Sequence, residues 1–390
     1  MDHLLNENVK NLEISGIRKF FNLVSSIEGM ISLTIGQPDF PTPLHVKEAG
    51  KQAIDNNFTT YTHNAGFIEL RKAAVDFVKE KYNLHYNPDN EVIVTNGASQ
   101  AIDATLRTIL TPGDEVLLPG PIYPGYEPII SLCGAEPVHI DTTDNSFRLT
   151  ADLIKPYITE KTKCVILPYP SNPTGVTLTK GELQDISSLL KGKDIFVLAD
   201  EIYSELTFDD KHYSIANELP EQTIVINGLS KSHSMTGWRI GFLFAPQTIC
   251  QHILKVHQYN VSCASSISQA AAYEALTNGI HDSDKMKKQY ITRREFVHKR
   301  LQEIGFPQVI KPDGAFYFFV RIPPELSLSS FDFSLKLAQE QKVAVVPGSA
   351  FSSYGEGFFR LSYACSMELL EEGMDRIEIF FNQVTDKVQF

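Results

Sequence analysis

Cationic residues are the first shortage: 35 lysines and arginines stand against 47 aspartates and glutamates in 390 residues, a formal net charge of -12. A chain so acidic repels phosphate backbones on average, and no basic tract offsets this, so nucleic acid is not an expected partner. A few arginines in a cleft can still bind small anions. Cysteine is scarce as well. Cys133, Cys164, Cys250, Cys263 and Cys365 are scattered, odd in number and include no CxxC pair, which supports neither a disulfide framework nor a cysteine-rich zinc site. No run of about 18 apolar residues occurs. The start, MDHLLNENVKN, lacks the basic segment, apolar core and small-residue cleavage site of a signal peptide. A cytoplasmic location without membrane attachment is therefore expected. Also missing are GxGxxG opening a strand-turn-helix unit, GxxxxGK(S/T), HExxH and GxSxG, the marks of a dinucleotide fold, a P-loop, a zincin and an α/β-hydrolase.

What is present is the composition of a globular protein, 43% hydrophobic and 21% charged, at a length suited to two domains or one large domain carrying a smaller one. The stretch ISLTIGQPDFPTP reads as a strand entering a loop whose prolines forbid regular continuation. Helical spacing follows from Leu44 through Val46, Ala49 and Ile54, and again from Leu70 to Val78. In the middle third, EVIVTNG, DEVLLPG, AEPVHID, TKCVILPYP, DIFVLAD, TIVING and RIGFLFAP are short apolar runs, each closed by turn residues. Helical patterns lie between several of them, so an α/β domain with a covered, largely parallel sheet is predicted. A polar helix pattern from about Asp282 to Gly305, strand candidates GAFYFFV, KVAVVPG and GFFRLSYA, and a terminal helix around Met374 to Phe381 predict a smaller α+β unit. The expected division is an N-terminal segment 1–45 packing with the small domain, a large domain 46–285 and a small domain 286–390.

Active sites in such sheets lie at the carboxyl ends of the strands. Asp200 closes the run Phe196 to Ala199, where a rigid element aims a carboxylate; its ordinary alternative is capping the next turn. Lys231 follows TIVIN and the turn GLS, although an isolated lysine is most often a surface charge. SNPTG places Asn172 in a tight turn. NGASQAI joins a strand to a helix, so its backbone N–H groups form an anion site, and Arg239, eight residues beyond Lys231, can serve the same anion. Each feature alone could be a turn, a cap or a salt-bridge partner. Together, an anion cup, a lysine and a strand-end aspartate suit a phosphorylated aldehyde cofactor with a pyridine ring.

The blocks IGQPDF, YTHNAGFIELRKA, NGASQAI, PGDEVLLPGPIYPGY, YPSNPTG, ADEIYSE, GLSKSHSMTGWRIG, PDGAFYF and FFRLSYA, in that order, resemble the class I and II aminotransferases of fold type I, which use pyridoxal 5'-phosphate. The resemblance covers nearly the whole chain. It implies a large domain with a mostly parallel seven-stranded sheet and a smaller α+β domain. It implies that Lys231 holds the cofactor as a Schiff base and shuttles a proton, that Asp200 partners the pyridinium nitrogen, and that Tyr203 and Asn172 bond the ring's 3-oxygen. Ala98, Ser99, Ser230 and Arg239 are implied to hold the phosphate with Gln100 nearby, Tyr123 to stack on the ring, and Tyr61 to reach the phosphate of the neighbouring subunit in a homodimer. Arg360 is implied to clamp the substrate α-carboxylate, helped by backbone at Gly36, with Asn172 also facing substrate. Residue 228 is Gly where some branches carry a phosphate-binding Ser.

The same fold hosts lyases and regulators. A regulator needs a DNA-binding domain ahead of the catalytic part, for which the residues before IGQPDF are too few, whereas a β-lyase is separable by pyruvate release. Within the aminotransferases, KVHQYNVSCASSISQAA and SKSHSMTGWRIGFLFAP resemble the N-acetyl-L,L-diaminopimelate aminotransferases of lysine biosynthesis, which implies 2-oxoglutarate as acceptor. Aromatic or aspartate transamination is the alternative. A distal carboxylate wants a cation, and Arg18 is one candidate.

Overall fold

The structure, a computed structural model, describes residues 1–386. After a short strand β1 (Ile31–Ser32), the seven apolar runs of the middle third become β2 (Val92–Thr95), β3 (Glu115–Gly120), β4 (Glu136–Asp141), β5 (Thr162–Leu167), β6 (Phe196–Asp200), β7 (Thr223–Gly228) and β8 (Gly241–Phe244). They form one sheet in the order β2-β8-β7-β6-β5-β3-β4. All are parallel except β8, which runs against both β2 and β7.

The strands read as continuous apolar runs because both faces of the sheet are covered. Alternate residues enter two different cores. Val92, Val94, Val165, Leu167, Val197 and Ala199 join the core packed by the helices Ile68–Tyr82, Lys180–Leu190 and Ser266–Thr277. Ile93, Cys164, Ile166 and Leu198 join the opposite core with the helices Ala98–Ile109 and Gln247–Val261. Each fully buried Val, Ile or Leu contributes about 1.5–3 kcal/mol of transfer free energy, so this two-faced alternation fixes the register. Strand β3 pairs with β4 on one side and β5 on the other, so successive connections leave in opposite directions and open a crevice at their carboxyl ends.

The rest of the fold is a smaller unit. The 23-residue helix Asp282–Ile304 ends where Gly305 takes a left-handed φ of 102°, which favours glycine. Strands β9 (Tyr317–Arg321), β10 (Val343–Ala344), β11 (Val346–Pro347) and β12 (Phe358–Ser362) follow, with β11-β12-β9 an antiparallel sheet. β1 pairs in parallel with β10 through Ile31 and Val343. The terminal helix runs Met367–Asp386, longer than the pattern around Met374 to Phe381, because Leu370, Met374, Ile377, Phe381 and Val384 keep one buried face throughout. The division expected at 285 falls inside the helix Asp282–Ile304 rather than in a linker.

Candidate active site

A cavity of about 430 Å³ opens at the carboxyl ends of the large sheet, the size of a small-molecule site. Its wall takes Ala98 and Ser99 from the segment after β2, Tyr123 from that after β3, Asn172 from that after β5, Asp200 from the end of β6, and Ser230 and Lys231 from that after β7. Lys231 lies not in a turn but in a short helix, Leu229–Ser232. The small unit adds Arg360 from β12 and Tyr317 from β9, and the loop after β1 adds Gly36.

One end of the cavity is built for an anion. The helix Ala98–Ile109 starts there, and Gly97 before it has a φ of 80°. A Cβ on Gly97 would lie 2.5 Å from an Arg239 guanidinium nitrogen, so glycine at 97 lets the arginine rest against the helix N-terminus. Arg239 itself has a φ of 53°, unusual for a non-glycine residue, and donates to the Thr236 carbonyl at 3.0 Å. Positive helix end and guanidinium thus face the same space.

Asp200 sits deeper and is fully enclosed. Tyr126 donates its hydroxyl proton to one carboxylate oxygen at 2.6 Å, and the Ile202 N–H donates to the other at 3.2 Å. Burial raises its carboxyl, outweighing these two hydrogen bonds, and neighbouring Glu201 pushes the same way. The ionised form therefore gains from a cationic ligand. Lys231 is perturbed in the opposite sense. Burial first, then the charges of Arg360 and Arg239, bring its amine down to about 8, against the pull of Asp200. Its Nζ donates to the Gly36 carbonyl at 2.6 Å.

At the other end, Arg360 donates to Asn172 Oδ1 at 2.8 Å and to the Thr34 carbonyl at 2.7 Å, with its guanidinium 4.4 Å from the Tyr317 ring centre. Its Nε is buried and has no partner among the described residues. The Tyr203 and Tyr317 hydroxyls share a hydrogen bond of 2.8 Å.

Of the residues singled out in the sequence, Lys231, Asp200, Tyr203, Asn172, Ala98, Ser99, Ser230, Tyr123, Arg239, Arg360 and Gly36 meet in this one cavity. Three others lie elsewhere. Gln100 is on the next face of its helix, where its side-chain oxygen meets His257 Nδ1 at 3.1 Å. Tyr61 is 86% exposed on the protein surface, and Arg18 is exposed while its neighbour Ile17 lines the cavity. Gly228 is buried against Ile202 and the Ile240 carbonyl. Tyr126, Tyr317 and Thr34 are functional neighbours that sequence reasoning missed. Tyr126, three residues after Tyr123 in PIYPGY, and Tyr317, within PDGAFYF, stand inside motifs of the family resemblance, and that is the one signal the sequence carries for them.

Residues 28–377 match the family described as Aminotransferase class I and II. The chain is 62% identical over 389 residues to a probable N-acetyl-LL-diaminopimelate aminotransferase of Bacillus subtilis, covering 100% of this chain and 98% of that one. It is 45% identical to an aspartate aminotransferase of Pyrococcus abyssi, over 93% of this chain and 95% of that one. The crystal structure of an aromatic aminotransferase from Pyrococcus horikoshii superposes with a TM-score of 0.89 at 41% identity, covering 95% of this chain and 100% of that one.

Proposed function

The chain belongs to the class I and II aminotransferases, and on that premise we propose that it moves the free amino group of N-acetyl-L,L-2,6-diaminopimelate to 2-oxoglutarate in lysine biosynthesis. Family and fold imply pyridoxal 5'-phosphate as cofactor and ping-pong exchange, amino acid before oxo acid. The observation that carries the choice of donor is the 62% identity along the whole chain to the Bacillus subtilis protein of that name. A cytoplasmic homodimer is part of the proposal, with Tyr61 exposed to serve the neighbouring subunit.

The residues present fit the cofactor. Gly97 makes room for Arg239 at the helix N-terminus, and Ala98, Ser99, Ser230 and Arg239 form a cup for the phosphate. Asp200, enclosed and held by Tyr126, suits a protonated ring nitrogen, and Tyr123 offers an aromatic face. When bound, the cofactor supplies an aldehyde that takes up the amino group and a ring that accepts the electron pair of the broken Cα–H bond. Asp200 keeps a proton on the ring nitrogen, which a buried carboxylate does better than a hydrated one. Tyr203 and Asn172 present polar groups to the ring's oxygen. Arg360 binds the substrate α-carboxylate, and its planar fork fixes the orientation of the Cα–H bond. Lys231 Nζ, with its pKa brought down to about 8, would take the α-proton near neutral pH and deliver it, in the same half-reaction, to the cofactor carbon that had carried the aldehyde, and would move a proton the opposite way in the return half-reaction.

One observation favours a second reading, aromatic or other neutral donors. Beyond Arg360 this chain's wall includes Ile17, Ile35, Gln37 and Tyr123, all neutral, and Arg18 stands outside. A panel of N-acetyl-diaminopimelate, phenylalanine, tyrosine, methionine and aspartate with 2-oxoglutarate separates the two by kcat/KM. A higher value for any other donor overturns the first reading. Pyruvate release from a thioether amino acid without an oxo acid points instead to a β-lyase.

A further inference from the structure

The loop 34–40 carries more of the site than its few cavity-lining atoms suggest. Its Thr34 carbonyl accepts from Arg360, its Gly36 carbonyl accepts from Lys231, and Ile35 and Gln37 face the cavity. Pro38 within it has no backbone N–H to pair. What fixes its far end is a clasp of side chains on the helix Asp282–Ile304. Arg293 donates two parallel hydrogen bonds to Asp39, Nη1 to Oδ1 at 2.8 Å and Nη2 to Oδ2 at 2.9 Å. Tyr290 adds its hydroxyl to Asp39 Oδ1 at 3.2 Å. The Arg293 guanidinium lies 5.3 Å from the Phe40 ring centre and 5.4 Å from that of Tyr290, and the side chain is 8% exposed.

We propose that Arg293, acting through Asp39, is a positioning residue for the substrate carboxylate: it anchors the loop 34–40 so that Gly36 and the Arg360 partner Thr34 stand at the carboxylate end of the cavity. A bidentate arginine–carboxylate pair holds both distance and orientation, which a lysine's point charge does not. Only Gln37 and Pro38 stand between Gly36 and Asp39, and the fixed φ of the proline leaves little slack to absorb a shift at Asp39 before it reaches Gly36. Misplacement of a binding group by 1 Å can cost about a hundredfold, and an anchor of this kind commands a substantial part of that. The ordinary alternative is a tie between elements that adds stability alone.

This inference rests on the reading of Arg360 and Gly36 as the carboxylate site. Glutarate, a dicarboxylate without an amine, is titrated into the cofactor-loaded enzyme and into its Asp39→Asn, Arg293→Lys and Arg360→Lys variants. In Asp39→Asn and Arg293→Lys the glutarate Kd and the donor KM rise about tenfold or more, kcat stays within about twofold, and cofactor retention on dialysis is unchanged. An unchanged glutarate Kd in Asp39→Asn, or a loss of cofactor in step with the loss of glutarate, overturns the proposal. If Arg293→Lys folds poorly, the isosteric Asp39→Asn decides alone. If Arg360→Lys leaves glutarate binding intact, the carboxylate site itself is misassigned; if it weakens binding while Asp39→Asn does not, the anchor alone fails.

Discussion

Removing one hydroxyl, in Tyr126→Phe, probes the electrostatics of the cavity floor. Tyr126 donates to Asp200 at 2.6 Å inside a fully enclosed environment, and the ring can stay where it packs. A hydrogen bond to a charged partner contributes about 1.5–3 kcal/mol, which is a factor of about ten to about a hundred in binding if Asp200 is what the cofactor's ring nitrogen meets. The effect carries a pH signature. Burial already raises the Asp200 carboxyl, and Tyr126 works against that rise, so its loss lifts the carboxyl further and leaves more of it protonated at any given pH. Equilibrium dialysis of pyridoxal phosphate against parent and variant, across the pH range in which both stay folded, should show the weakest relative binding at the acid end, where the higher carboxyl of the variant is protonated first. The gap narrows as pH rises, because the carboxylate ionises in both proteins. In the cofactor-free protein the folded carboxyl binds its proton more tightly than the unfolded one. Its contribution to stability therefore falls as pH rises from the unfolded value of 3.8 through the raised folded value, and the variant extends that window upward. Equal affinities at every pH, or a gap that widens with pH, would refute the reasoning.

Arg360→Lys should raise the donor KM by about tenfold or more, because a point charge replaces a planar fork that also bonds Asn172 and Thr34; steady-state kinetics with unchanged KM removes Arg360 from the site. Capture of pyridoxal phosphate by the cofactor-free protein should quicken as pH rises through about 8, where Lys231 loses its proton, and stopped-flow absorbance that is flat across that range contradicts its role as nucleophile. Ser352 has φ 128° and ψ 173°, a conformation suited to glycine, and its hydroxyl is buried with no partner among the described residues, so Ser352→Gly should raise stability by about 1 kcal/mol, read as a higher thermal midpoint. His45 bonds Glu274 and Asp282, each at 2.8 Å; burial pulls its pKa down, but the two carboxylates outweigh it and the net shift is upward. Its stabilising effect is full below the unfolded value of 6.5 and fades as pH rises through the folded one, so His45→Gln should lower the melting temperature more in mildly acidic than in alkaline buffer.

The sheet was legible because its signal is local. Seven apolar runs, each ended by turn residues, are what a two-faced, covered strand must look like, and all seven became strands of one sheet. The gathering of Lys231, Asp200, Asn172 and Arg239 followed from the rule that strand ends share an edge. Gln100 was lost to helix geometry: each residue advances about 100° around the axis, so two residues past Ala98 the side chain faces His257 rather than the cavity. Contacts such as Tyr126 with Asp200 and Arg293 with Asp39 join positions far apart in the chain, and neither periodicity nor turn chemistry carries information about such pairs. Arg293 in particular reads as one charge among many in TRREF.

The grip of Arg360 on the Thr34 carbonyl joins two segments that leave the ribosome 326 residues apart. The cup proposed for the phosphate, by contrast, has all the residues this chain contributes to that end of the cavity once Arg239 has been made. During synthesis the two ends of the cavity are therefore available at different times: the proposed cup can form on a growing chain, while the proposed carboxylate clamp waits for β12 to pair with β9 and for the earlier strand β1 to find β10. On the proposed assignment, the nascent chain thus acquires the means to hold a cofactor before it has the means to grip a substrate carboxylate.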